Sequence, residues 1–124
     1  MRFLMLAKHG ENPGPPPPEF LEAMAKLGED AAKSGTMIAS GGLVPISKST
    51  RVRLARGQVS AVDGPYTEAK EVVGGFALFE LKSKQEAIDG AMSFMALHKK
   101  YWPGWEGETE IRELMGAEAF ESKA

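Results

Sequence analysis

Two segments of this chain carry apolar residues on both sides of an extended backbone, and that feature limits the folds open to it most. In Arg2–Ala7, Phe3 and Met5 alternate with Leu4 and Leu6; in Gly74–Lys82, Phe76 and Leu78 alternate with Ala77, Phe79 and Leu81. Successive strand residues point to opposite faces, so a sheet built on these strands is apolar on both. An antiparallel sheet with one wet face alternates apolar with polar residues instead. Each face therefore needs a cover.

Helical spacing supplies cover for one face. Between Glu19 and Ser34, Phe20, Leu21, Met24, Ala25, Leu27, Gly28, Ala31 and Ala32 recur at intervals of three and four, the stripe of an amphipathic helix. Pro15–Pro18 reads as a stiff lead-in, with Pro18 suited to the first turn; the functional alternative is a proline-recognition ligand. Gly35 supplies a left-handed stop. A second helix starts at Ser83 with a capping box to Glu86 and presents Ala87, Ile88, Ala91, Met92 and Met95. The methionines on these stripes read as core filler.

The other segments read as strands. Met37–Val44 contains Gly41-Gly42, a mark of a bulge or a close backbone approach. Arg51–Ala55 and Gln58–Val62 flank Arg56-Gly57, a hairpin signal, and Glu108–Met115 is the last strand. With the hairpin set aside, the order is βαββαβ. This predicts an α+β chain of the ferredoxin-like plait type with an inserted hairpin, both helices on one face of the sheet. The other face predicts a homodimer with the two sheets facing each other, since a two-fold copy is the simplest cover.

Composition narrows the function. The 124 residues allow one domain, read as residues 1–116 with a polar tail at 117–124. There is no cysteine, which excludes disulfides, thiol catalysis and thiolate metal sites. A net charge of −2 with no basic cluster argues against nucleic acid. No stretch reaches the roughly 18 apolar residues of a membrane span, and the reading is a cytoplasmic protein.

Two segments can carry chemistry. The first is Asp63-Gly-Pro-Tyr-Thr-Glu-Ala-Lys-Glu71, which packs Asp63, Glu68, Lys70 and Glu71 around Tyr66 and Thr67. Asp-Gly-Pro is turn chemistry, and a tight reversal is its structural role. A carboxylate at a strand end near a lysine is also a candidate general base, so Asp63 is the candidate base and Lys70 its assistant. Tyr66 and Glu68 are candidate ligand contacts. The second segment is Leu97–Glu108, where Trp102 and Trp105 bracket Pro103-Gly104. It reads either as a loop packed on its own domain or at a dimer contact, or as the aromatic wall of a small-molecule pocket with Glu106 and His98 as polar groups.

His98 lies near the end of the second helix, where a protonated imidazole meets the helix dipole favourably; it is also a candidate catalytic residue. His9 follows the first strand, as an exposed loop residue or a ligand contact. Two histidines with no metal-binding spacing give no metal site. No phosphate-cradling or nucleotide-binding glycine pattern occurs, so no cofactor is implied.

The segment from Asp63 through Phe76 resembles the signature of the DGPF-type branch of the YciI-like (YCII-related) family, with Tyr66 where phenylalanine is usual. The resemblance continues through Gly41-Gly42-Leu43-x-Pro45, Ser47-Lys48, Arg51-Val52-Arg53, Glu86-Ala87-Ile88 and Glu110-Ile111-Arg112, in the expected order. It implies a ferredoxin-like fold that pairs into a dimeric α/β barrel. The wider family includes a dehydrochlorinase for which a His–Asp catalytic pair is proposed. Compact relatives carry that histidine near the start of the first helix, where this chain has Glu19-Phe20-Leu21. Some genes of this type sit beside alternative sigma factors.

The expectation is a homodimer that binds a small organic molecule, with lyase- or isomerase-like proton transfer as its chemistry. The alternative is a non-catalytic interaction or sensor module associated with a transcription (sigma) factor.

Overall fold

The computed structural model describes residues 1–10, 14–63 and 72–116. The elements run β1 (Arg2–His9), α1 (Pro18–Ser34), β2 (Met37–Gly42), β3 (Thr50–Ala55), β4 (Gln58–Asp63), β5 (Val72–Glu80), α2 (Lys84–Tyr101) and β6 (Gly107–Glu113), with a 3-10 turn at Ile46–Lys48. Strands β2, β5, β1 and β6 form one antiparallel sheet in that order, and β3 pairs with β4 in a separate two-stranded ribbon. Apart from the ribbon, the order of elements and strands is that of the ferredoxin-like plait.

Local chemistry explains the boundaries. Pro18 occupies the first turn of α1, and the Pro17 carbonyl accepts from the amides of Phe20 and Leu21. Gly35 ends the helix at a φ of 75°, a conformation that costs other residues a Cβ clash. Ser83 caps α2, its hydroxyl accepting from the Glu86 amide at 3.1 Å. Arg56 and Gly57 both have positive φ, the backbone of a two-residue hairpin turn whose twist matches the strands it joins.

The buried core lies on the face that carries α2. Phe3 and Met5 of β1 meet Ala87 and Ala91, with Phe79, Leu81 and Ile111 packed around them. The registers Phe3↔Phe79 and Met5↔Ile111 put these side chains on one face, while Leu4↔Leu78 and Leu6↔Phe76 put the second apolar set on the other. That second set is only half-buried.

Three sequence expectations shift. Strand β2 stops at Gly42 instead of Val44, and its register slips between Met37 and Ala39. Of the two glycines, Gly41 makes the close approach instead: a Cβ there would stand 3.1 Å from the Phe76 ring. Met92 is 69% exposed, so the buried line of α2 runs Ala87, Ala91, His98. Tyr66, Glu68, Lys70 and the tail at 117–124 lie outside the described residues.

Candidate functional site

The site grows from four-residue spacing on α2. Phe94 and His98 lie one turn apart on the helix, and Trp102 follows one turn later, its amide donating to the His98 carbonyl at 2.9 Å. Residues four apart share a helix face. The chain then reverses over Trp102-Pro103-Gly104-Trp105. The Trp105 amide bonds the Trp102 carbonyl at 3.1 Å, and Gly104 has a φ of 84°. Positive φ at the third residue, with proline before it, is a type II turn. It folds Trp105 back towards the helix.

His98 ends up surrounded by rings. Its ring centroid lies 4.6 Å from Phe20, 4.7 Å from Phe94 and 4.2 Å from Trp105, with Trp102 parallel to it at 6.4 Å. Phe20 comes from the first turn of α1 and also touches Trp102 at 5.0 Å. His98 is 6% exposed, the one buried polar or charged residue among those described.

The ring nitrogens of His98 have separate tasks. The first, Nδ1, lies 2.9 Å from the Phe94 carbonyl, which can only accept, so Nδ1 carries the proton in this contact. The neutral ring then offers Nε2 as an acceptor. Burial holds the imidazole below its ordinary value, and the bond to Phe94 acts against that shift. His98 therefore satisfies a carbonyl of its own helix as a neutral donor, and the charged cap on the helix dipole is not what this geometry favours.

Beside the cage is a cavity of about 420 Å³, open to solvent and lined by Met95, His98, Lys99, Trp102, Trp105 and Glu106, with Gly104 and Gly107. Gly107 lets Trp105 settle there: a Cβ at this position would meet the Lys8 carbonyl and come within 2.5 Å of the indole. Aromatic walls with a few polar groups are the usual lining of small-molecule sites. On β6, opposite Ala7, Thr109 Oγ1 is buried without a hydrogen-bond partner among the described residues.

The sequence-derived candidates separate. His98, Trp102 and Glu106 share the cavity. His9 sits at the end of β1, its Nδ1 beside the Gly10 carbonyl and its ring over Gly74, where a Cβ would lie 2.6 Å from Nε2. Asp63 is exposed at the end of β4 and accepts a 2.7 Å bond from the Thr50 hydroxyl across the ribbon. Among the described residues no hydrogen bond links it to either histidine. Phe20, Phe94 and Met95 were not among the sequence candidates; the regular Phe94, His98, Trp102 spacing was the available signal. Among the described residues no group of acidic or histidine side chains is arranged to hold a metal ion, and no helix is long and apolar enough to cross a membrane.

Comparison with known proteins adds two findings. The family model of the YCII-related domain matches residues 1–96. An uncharacterized protein of Rhizobium meliloti (strain 1021) is 34% identical over 71 residues, which make up 57% of this chain and 55% of that protein. The match thus spans about half the length of that relative. The family match runs from β1 into α2 and stops short of His98, so the histidine, both tryptophans and β6 lie beyond it.

Proposed function

The chain belongs to the YCII-related family, and on that premise we propose that it is a homodimer that binds a small organic molecule at the aromatic corner and moves a proton there. The observation that carries this reading is His98: a buried, neutral imidazole whose Nδ1–H is spent on Phe94, lining a cavity between two indoles. Its Nε2 can accept a hydrogen bond from a ligand hydroxyl or take a proton from an acidified C–H, the step that lyase and isomerase chemistry shares. Burial makes the imidazolium unfavourable, so a proton taken up is readily handed on. Glu106 and Lys99 at the rim offer opposite charges to a polar substituent.

In this reading the base is His98, because Asp63 is exposed and already engaged by Thr50. The segment from Asp63 to Phe76 supports placement in the DGPF-type branch. The homodimer is supported by the half-buried Leu4, Leu6, Phe76 and Leu78 on the face opposite the core. A cytoplasmic location belongs to the same reading and is supported by the cysteine-free sequence.

Phenol, a flat ring with one acidic hydroxyl, is a suitable first probe. The chain has two tryptophans, both at the cavity, so their indole N–H resonances report on it directly. Saturable shifts of both are expected, and His98→Gln should weaken binding about tenfold, the worth of one good hydrogen bond. If neither resonance moves at millimolar phenol, the ligand site is not here. A non-catalytic sensor would bind the probe class equally well but show no exchange of a substrate C–H with solvent deuterium.

A further inference from the structure

The cavity at the aromatic corner carries two opposite charges that no described side chain neutralises. Lys99 and Glu106 both line it, and both are exposed. Among the described residues neither forms an ion pair, with the other or with any third group. The chain sets them beside different indoles. Lys99 precedes Trp102 by three residues on α2, a spacing that puts the two on one side of the helix. Glu106 directly follows Trp105, and the two indole centroids are 6.2 Å apart. Between the charges lies His98, whose Nδ1 is committed to the Phe94 carbonyl.

We infer that the corner takes a zwitterion, an α-amino acid with an aromatic side chain: its carboxylate goes to Lys99, its ammonium to Glu106 and His98 Nε2, and its ring to the indoles. This rests on the ligand-binding reading above and names the ligand class. The donors and acceptors match. An ammonium offers three N–H groups and accepts none, which suits a carboxylate and the unprotonated nitrogen of a neutral imidazole. A carboxylate only accepts, which suits the lysine. The charges balance as well, since Lys99 and Glu106 sum to zero and His98 adds nothing while neutral. A singly charged ligand would satisfy one rim group and meet repulsion from the other, whereas a zwitterion satisfies both. The volume of about 420 Å³ lies within the roughly 300–1,000 Å³ of small-molecule sites, towards the lower end.

The indole N–H resonances of the full chain read the test, with four probes that divide the charges: phenol, phenylpropionate, phenethylamine and free phenylalanine. Phenylalanine should bind about fivefold tighter than either singly charged probe, the upper range for an exposed ion pair. Lys99→Gln should remove its advantage over phenethylamine without weakening phenethylamine itself. Glu106→Gln should remove its advantage over phenylpropionate without weakening phenylpropionate. Both side chains are exposed, so the circular dichroism spectra should match that of the wild type. If phenol binds and phenylalanine binds no tighter than the singly charged probes, the ligand site stands and the zwitterion is overturned. Phenylalanine affinity that survives both substitutions unchanged overturns it too. If no probe moves either resonance at millimolar concentration, the ligand site and the ligand class fall together.

Discussion

The aromatic corner and the β3–β4 ribbon treat apolar side chains in opposite ways. At the corner, Phe20, Phe94, Trp102 and Trp105 converge from α1, α2 and the turn before β6, and they enclose a histidine. On the ribbon, Val52, Leu54 and Val59 share a face and stay in water. The difference lies in chain connectivity. The corner is a meeting point of helix ends fixed by the same sheet, so each ring has a neighbour from another element. The ribbon is tied to the domain through its open end and brings only its own two strands. A chain can complete its surface where elements converge; where one projects alone, it cannot.

The sharpest contrast is a pair of truncations. Phe20→Ala should cost about 3–4 kcal/mol, the usual loss for a buried phenylalanine. Leu54→Ala should change the stability of one isolated chain by less than about 0.5 kcal/mol, as for an exposed residue. Denaturant midpoints measured at high dilution compare the two; equal losses would mean that the ribbon is covered within its own chain.

Gly107→Ala tests the corner from the backbone side. The added methyl meets the Lys8 carbonyl and the Trp105 indole, so a loss of about 1–3 kcal/mol is expected, in the range of overpacking. Thermal unfolding reads this, and the Trp105 resonance should shift with it. Gly57, where a Cβ meets nothing within 4 Å, is the ribbon counterpart; alanine there should cost less, and only through its positive φ of 76°.

The smallest effect is expected on pH. The folded His98 imidazole titrates below its ordinary 6.5 because it is buried. Between that lowered value and 6.5 the unfolded chain holds more protons, so stability rises with pH through this window and falls on acidification. Glu110 acts lower: Lys8 holds its carboxyl below 4.5, so its contribution is present above 4.5 and fades as pH falls beneath it. A His98→Gln chain should lose the upper slope and keep the lower one in a plot of unfolding midpoint against pH. An upper slope that survives the substitution would place its source outside the corner.

Much of the fold was legible because its signals are local. Pro18, Ser83, Gly35 and Arg56-Gly57 act within one turn of backbone, and each does in the structure what its side chain or φ allows. The buried line of α2 was less legible. Met92 has the spacing of a core residue, yet the helix turns Ala87, Ala91 and His98 inward, because small residues at 87 and 91 allow a close approach to Phe3 and Met5. The candidate site was half legible. The Trp-Pro-Gly-Trp turn and its neighbour His98 stand close together in the chain, whereas Phe20 comes from 78 residues earlier.

By itself, the sequence determined the order of elements, their caps and turns, the two apolar faces of the central strands and the absence of thiol chemistry. Each of these follows from side-chain period or from backbone restrictions, which act over a few residues. Only the tertiary structure decided that His98 is packed among four rings as a neutral donor to Phe94, that Gly107 makes room for Trp105, and that Asp63 pairs with Thr50 away from both histidines. Those outcomes depend on which residues distant in the chain are brought together and on how much water is left between them. Burial and ring-to-ring distance are properties of that packing, and no spacing along the chain encodes them.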